Sequence, residues 1–233
     1  MYLTRFRINT ARREGRELLG SPHRMHAAVN MSFPDLLSRD GSGPRVLWRV
    51  DRNSAAEVLL FVVSPTRPDL THLVEQAGWP AASDTPGWHT YDYGSFLDRL
   101  ARGSTWSFRL TANPVHSIRR KEGEPTKRTA HITARHQAAW LLSKQSQGGF
   151  EITSKEPGAR LLEHRDEHQL VVRDKRDLQF AKASERRTVT LTAVTYDGRL
   201  TVTDPEVLRR TLTQGLGKAK AYGCGLMTLA PVR

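Results

Sequence analysis

The sequence predicts an α+β chain in which the order β-α-β-β-α-β runs through the first half and a similar order through the second. Three observations predict it. Short stretches of alternating apolar and polar residues recur, each with the period of a half-buried strand. Between them lie segments that open with helix-start chemistry, Ser21-Pro22 and Asp204-Pro205 foremost. Clusters of Pro and Gly punctuate both kinds of segment.

Taken in order, Tyr2-Leu3-Thr4-Arg5-Phe6-Arg7-Ile8 alternates as a strand. Arg12, Arg13 and Arg16 follow in what reads as a basic connection ending at Gly20. Ser21 then caps a helix. Its hydroxyl accepts from an otherwise unpaired backbone N–H, and Pro22 sits where a missing N–H costs nothing. Met25, Val29 and Phe33 recur at i, i+4, i+8 as the buried stripe. Pro34 and Gly41-Ser42-Gly43-Pro44 mark a loop. Residues 46–50 and 57–63 read as the strands of a hairpin, 69–76 as a short helix closed by Gly78, and 89–93 as a fourth strand. That order fits a ferredoxin-like fold, an arrangement shared by many RNA-binding domains.

In the second half, residues 106–112 form an alternating strand, and a basic loop over 119–128 carries Arg119, Arg120, Lys121, Lys127 and Arg128. Residues 133–145 read as a helix with Ala138, Leu141 and Leu142 on its apolar side and Gly148-Gly149 as its stop. A strand starts at Phe150. Residues 169–173 read as one strand of a ribbon whose tip carries Asp174, Lys175, Arg176 and Asp177. A strand over 188–194, a turn at Asp197-Gly198, a continuation over 200–202, a helix over 205–212 capped by Asp204 and a last strand over 226–229 complete the chain. The two halves share an order of elements but no sequence repeat. The expected architecture is two tandem ferredoxin-like (RRM-like) βαββαβ domains, residues 1–95 and 105–233.

Bulk composition narrows the function. Thirty-six Lys and Arg against 24 Asp and Glu give a net charge of +12 over 233 residues. A polyanionic partner follows, nucleic acid first. The longest wholly apolar run, residues 58–63, is far short of the ~18 residues of a membrane span. No basic amphipathic helix presents itself, so the expected partners include no membrane. The single cysteine, Cys224, excludes an internal disulfide and any cysteine-based metal cage. The N-terminus has no secretory pattern, and the expected location is cytoplasmic.

Two motifs carry the chemistry. His23, His26 and Asn30 recur at i, i+3, i+7, a quarter turn from the buried stripe and beside a helix start that attracts phosphate. Taken alone, the pair reads first as two solvated surface histidines. No carboxylate or cysteine stands nearby to complete a metal site. His164 and His168 have an i, i+4 spacing but lie in a segment without helical periodicity, and His131 and His136 fit no ligand template, so neither metal nor cofactor is expected. The second motif is Gly215-Leu216-Gly217-Lys218-Ala219-Lys220-Ala221-Tyr222-Gly223-Cys224-Gly225-Leu226. It is neither a Walker loop nor a dinucleotide fingerprint. Glycines let backbone N–H groups approach phosphates, and Lys218 and Lys220 add charge there, although an ordinary glycine-rich connection has the same composition.

These motifs, in this order, resemble the CasE subfamily of CRISPR-associated repeat-processing endoribonucleases. The resemblance runs through Met1-Tyr2-Leu3, Met25-His26, Leu47-Trp48-Arg49, Phe108-Arg109-Leu110-Thr111-Ala112-Asn113-Pro114, Ala139-Trp140-Leu141, Gly148-Gly149-Phe150, Gly198-Arg199-Leu200 and the glycine stretch through Leu229-Ala230-Pro231. Residues 51–105 and 154–187 match poorly. The resemblance implies tandem ferredoxin-like folds that bind the stem-loop of a CRISPR repeat RNA. It implies a cut on the 3′ side of the stem by the RNA's own 2′-hydroxyl, without a metal, and association with other subunits of the Cascade surveillance complex. The family's catalytic histidine corresponds to His26. Three residues earlier the family usually has tyrosine, and this chain has His23. Candidate RNA contacts are Arg24, Arg119, Arg120, Lys127, Arg128, Gly215, Gly217, Lys218 and Lys220, with Arg173, Lys175 and Arg176 as the positional match to the family's groove-binding ribbon.

Overall fold

The computed structural model describes residues 1–34, 45–80, 87–118, 126–161, 166–182 and 185–232. In the first half, β1 (Tyr2–Ile8), β2 (Leu47–Arg52), β3 (Val58–Ser64) and β4 (Trp88–Asp92) form one antiparallel sheet in the order β2-β3-β1-β4. The helices α1 (Arg13–Gly20), α2 (Pro22–Asn30) and α3 (Thr71–Ala77) cover one face of it. Alternation in β1 and β3 turns Phe6, Ile8, Leu60 and Val62 towards Leu18, Met25, Val29 and Leu73.

In the second half, the sheet order is β11-β5-β10-β8, the same permutation of first, second, third and fourth strands as in the first half. Its members are β5 (Thr105–Ala112), β8 (Phe150–Ile152), β10 (Glu185–Val202) and β11 (Met227–Pro231), with α5 (Ala134–Leu142) and α7 (Pro205–Gln214) as the helices. Two tandem ferredoxin-like folds are therefore present. Between them lies α4 (Tyr93–Asp98), started by Asp92, whose carboxylate accepts from Gly94 N at 3.0 Å. The first sheet's other face joins the second half in one core, where Leu47, Val63, Tyr93 and Leu97 pack with Leu110, Tyr196, Leu212 and Leu226.

Several elements differ from expectation. The basic connection before the capped helix is itself helical. The Cβ that Gly15 lacks would sit 2.3 Å from Asn9 O, so glycine lets α1 lie against the end of β1. Of the basic segment 119–128, Lys127 and Arg128 open a strand, β7 (Lys127–Ala130), which pairs with β6 (Val115–Ile118). Arg119, Arg120 and Lys121 fall outside the described residues. The helix expected over 133–145 breaks at Ser143 and resumes as α6 (Gln145–Gly148), which Gly149 ends in the left-handed region at φ 75°. Asp197-Gly198 is no turn. Both residues lie mid-strand in β10, because Arg109 and Arg173 on the flanking strands take up the Asp197 carboxylate. At Gly198 the backbone also approaches Gln169 O too closely for a Cβ.

The expected ribbon exists, but its tip lies elsewhere. β9 (Leu170–Lys182) pairs with β10 along its length, and the register shifts between the Ala193 and Thr195 pairings. There Asp174, at φ 51°, and Lys175 form a bulge. Asp174-Lys175-Arg176-Asp177 thus sits where the ribbon leaves β5, at its root. A local run of four charged residues looks like a turn, and only the pairing with β10 distinguishes a bulge.

Candidate active site and nucleic-acid interface

The site is built on α2. Ser21 Oγ accepts from Arg24 N at 3.3 Å, and Pro22 occupies the first turn, as the capping chemistry requires. Met25, Ala28 and Val29 anchor the helix in the core, which leaves His23, His26 and Asn30 half-buried on the adjoining edge. The Asn30 side-chain nitrogen lies 3.3 Å from His26 Nε2. When the amide nitrogen donates here, Nε2 accepts and the ring proton sits on Nδ1.

The glycine stretch lies directly against this helix. A single 3₁₀ turn, Lys220–Tyr222, packs on α2 and on β2. Gly215, Gly217, Gly223 and Gly225 all have positive φ, and so does Ala219. A Cβ on Gly223 would stand 2.6 Å from the Trp48 ring, and one on Gly217 would stand 3.0 Å from the Trp140 ring. The glycines therefore let the loop sit flush on two buried tryptophans. Tyr222 in turn meets Phe180 of the ribbon edge-on, with ring centroids 4.8 Å apart. Helix, turn and ribbon form a continuous wall drawn from residues some 200 positions apart.

Cations gather around the turn. The Lys220 ammonium is lowered from its usual range, first by burial and then by the charges of Arg45 and Lys218. Lys218 is exposed and lines a cleft of about 580 Å³ with Asn113, Lys127, Arg128, Thr192 and Tyr222. Lys127, Arg128 and Lys218 thus share one groove. On the ribbon, Arg176 lines a second cleft beside Pro22, Leu19 and Arg52 at the start of α2. Arg52 and Arg176 confront each other as like charges, with Asp174 as the opposing carboxylate.

Other candidates are engaged within the protein. Arg24 pairs with Glu17 of α1 at 2.6 Å on the surface. Arg173 binds Asp197 at 2.7 Å and contacts Asp174, and Lys175 pairs with Asp177 at 3.3 Å. Arg45 and Arg52, two further cations at the site, carry no motif and become visible only when distant segments meet. The His131 ring, which fits no ligand pattern, packs between His116 and His136, with centroid separations of 4.4 and 6.0 Å. Chemically, a histidine edge of this kind can transfer a proton, and cations beside it can neutralise a phosphodiester.

Known proteins share this sequence pattern and fold. The family described as CRISPR associated protein matches residues 1–231. The CRISPR-associated endoribonuclease Cse3 of Thermus thermophilus is 31% identical over 232 residues, covering 99% of this chain and 100% of that protein. The CRISPR system Cascade subunit CasE of Escherichia coli is 27% identical over 197 residues, covering 80% and 89%. The structure of Thermus thermophilus Cse3 bound to an RNA representing a pre-cleavage complex superposes with a TM-score of 0.72 at 29% identity, covering 99% and 98%.

Proposed function

Because the chain belongs to the CRISPR-associated protein family, and within it to the CasE subfamily, we propose that it is the endoribonuclease that matures CRISPR RNA. It binds the stem-loop of a repeat transcript and cuts at the 3′ side of the stem, in the cytoplasm and in company with Cascade-type subunits. The observation that carries this reading is the packing of the Lys220–Tyr222 turn on α2. That contact brings Lys220, which feels the charges of Arg45 and Lys218, against the helix that presents His26.

RNA carries its own nucleophile, so the protein has only to align it and manage protons and charge. The 2′-oxygen attacks phosphorus, the bond from phosphorus to the 5′-oxygen breaks, and a 2′,3′-cyclic phosphate and a 5′-hydroxyl result. One proton leaves the 2′-oxygen and one reaches the departing 5′-oxygen, so no water or metal enters the balance. His26 moves one of these protons. The cations at the glycine turn stabilise charge on the phosphorane. The groove of Lys127, Arg128 and Lys218 holds stem phosphates, which suits A-form RNA, whose base edges are recessed in a narrow major groove. Gly215 and Gly217 support the same turn, Arg176 borders it, and Arg24, Arg173 and Lys175 are already paired with carboxylates of the protein.

The test is a repeat hairpin, with and without 2′-deoxy at the cut site, incubated in EDTA. Cleavage of the ribose substrate with a cyclic-phosphate end, and binding without cleavage of the deoxy substrate, are expected. Cleavage that needs a divalent ion would overturn the mechanism. Binding with no cleavage of either hairpin would make the chain a non-catalytic RNA-binding subunit.

A further inference from the structure

The face of the first sheet turned away from α2 and α3 is not spent on the core along its outer half. Alternation that buries Phe6 and Ile8 sends Arg5 and Arg7 to the opposite side, and both are exposed. On the neighbouring edge strand, the same alternation exposes His89 and Tyr91, with Tyr91 49% exposed. Register places Arg5 between Phe61 and His89, and Leu3 between Val63 and Tyr91. The Arg7 guanidinium lies 4.8 Å over the ring of Trp79. Among the described residues, neither Arg5 nor Arg7 forms an ion pair.

This face continues into the space between the two sheets. Phe61, beside Arg5, lines a cleft of about 790 Å³ whose far wall includes the exposed Arg199 and Val171. The carboxylates in that cleft are already committed. Asp51 is bound by Arg49 and Arg109, and Asp197 by Arg109 and Arg173. What remains is a track of rings and uncompensated arginines running from Tyr91 to Arg199.

Aromatic rings on an open sheet, interleaved with arginine, match the π-face and phosphate spacing of unpaired nucleotides. A duplex cannot use such a surface, since its bases are stacked on one another. A protein partner would need an apolar centre, whereas here the rings are separated by charge. We propose that this open face, from Tyr91 and Arg5 into the Phe61–Arg199 cleft, binds the single-stranded RNA that flanks the repeat stem. The proposal rests on the RNA-processing reading above and adds a second surface, on the side of the first sheet opposite α2.

The experiment measures affinity for three RNAs with 2′-deoxy at the cut site: a bare stem-loop, one with a 5′ single-stranded flank and one with a 3′ flank. The flank that lies on this face tightens binding by roughly tenfold. Tyr91→Ala and Arg5→Ala abolish that gain while leaving bare stem-loop affinity and melting temperature unchanged, and Tyr91→Phe retains it because the stacking ring is kept. Gain from the 5′ flank identifies the strand that stays attached to the product, and gain from the 3′ flank the strand that is released. If the bare stem-loop binds but neither flank adds affinity, or the variants leave the gain intact, the inference falls and the function above stands. Loss of association with another subunit in place of lost flank affinity overturns it in favour of a protein surface. If no stem-loop binds at all, both readings fall together.

Discussion

The Arg49 guanidinium, 1% exposed on β2, donates to Leu226 O at 3.0 Å across 177 residues of chain. It also donates to Arg109 O at 2.8 Å and to Thr228 Oγ1 at 2.8 Å, while its fork grips Asp51 at 2.6 and 3.0 Å. From Asp51 the charges continue through Arg109 to Asp197 and on to Arg173 at the ribbon's bulge. Although burial opposes it, the Arg109 and Arg173 guanidiniums hold the Asp197 carboxyl below the usual carboxylate range. One alternating ladder thus ties the first sheet, the second sheet and the ribbon into the frame that sets α2 against the glycine turn.

Arg49→Met is expected to destabilise the protein by about 3–5 kcal/mol, because it strands a buried Asp51 with only Arg109 at 3.4 Å. Arg49→Lys rescues little, since a point-charge ammonium cannot span a bidentate carboxylate and two carbonyls at once. Denaturant unfolding of both variants checks this. A Met variant as stable as the parent would show that the ladder is not what holds the halves.

His26→Ala is expected to lower single-turnover cleavage of a repeat hairpin by about 10²–10⁴-fold with affinity retained. The half-buried imidazole of His23 lies one turn earlier on the same edge. His23→Phe is expected to cost about tenfold, and His23→Tyr to recover most of the rate by restoring a proton-bearing group. Equal rates for all three residues at position 23 would make that position a bystander.

What was legible in the sequence was local. The alternation of β1, the Ser21-Pro22 cap and the Asp204-Pro205 cap each depend on residues a few positions apart, and each stands where expected. The helix α1 leaves little local signal because its apolar side holds little more than Leu18 and Leu19, and close packing at Gly15 makes up for that poverty. The bulge at Asp174, the Arg49 ladder and the cations Arg45 and Arg52 depend on pairings across the chain. No spacing rule encodes those. The two opening motifs were each ambiguous alone, and their meeting at the Lys220–Tyr222 turn is a tertiary fact.

The histidine group on the β6–β7 hairpin predicts a pH dependence. Burial first, then the neighbouring His116 and His136, lowers the His131 imidazole from its usual value. The folded state therefore binds its proton less readily than the unfolded chain. Its contribution to stability is complete above the ordinary histidine pKa of about 6.5 and is lost as pH falls towards the lowered folded value. Thermal melts should drop between neutral pH and about pH 5, and His131→Gln should flatten that drop. An unchanged slope in the variant would assign the acid sensitivity to other groups.

Gly223→Ala tests whether the turn's seat on Trp48 positions the cations for catalysis. Gly223 holds φ at 79°, where an L side chain is strained, and the added methyl would meet the Trp48 ring at 2.6 Å. Trp48 is buried in the same cluster as Met25 and Val29 of α2, so the turn cannot yield by pushing the ring inward. The turn must lift instead, carrying Lys220 away from α2. The expected loss of stability is about 1–3 kcal/mol, from overpacking and backbone strain together. Cleavage should fall further than that loss accounts for when measured well below the melting temperature. The dependence of binding on salt should also weaken as phosphate contacts are lost. A variant that melts lower yet cleaves at the parental rate would separate the turn's packing from its chemistry, and would move charge stabilisation to Arg52 and Arg176 on the other side of the α2 start.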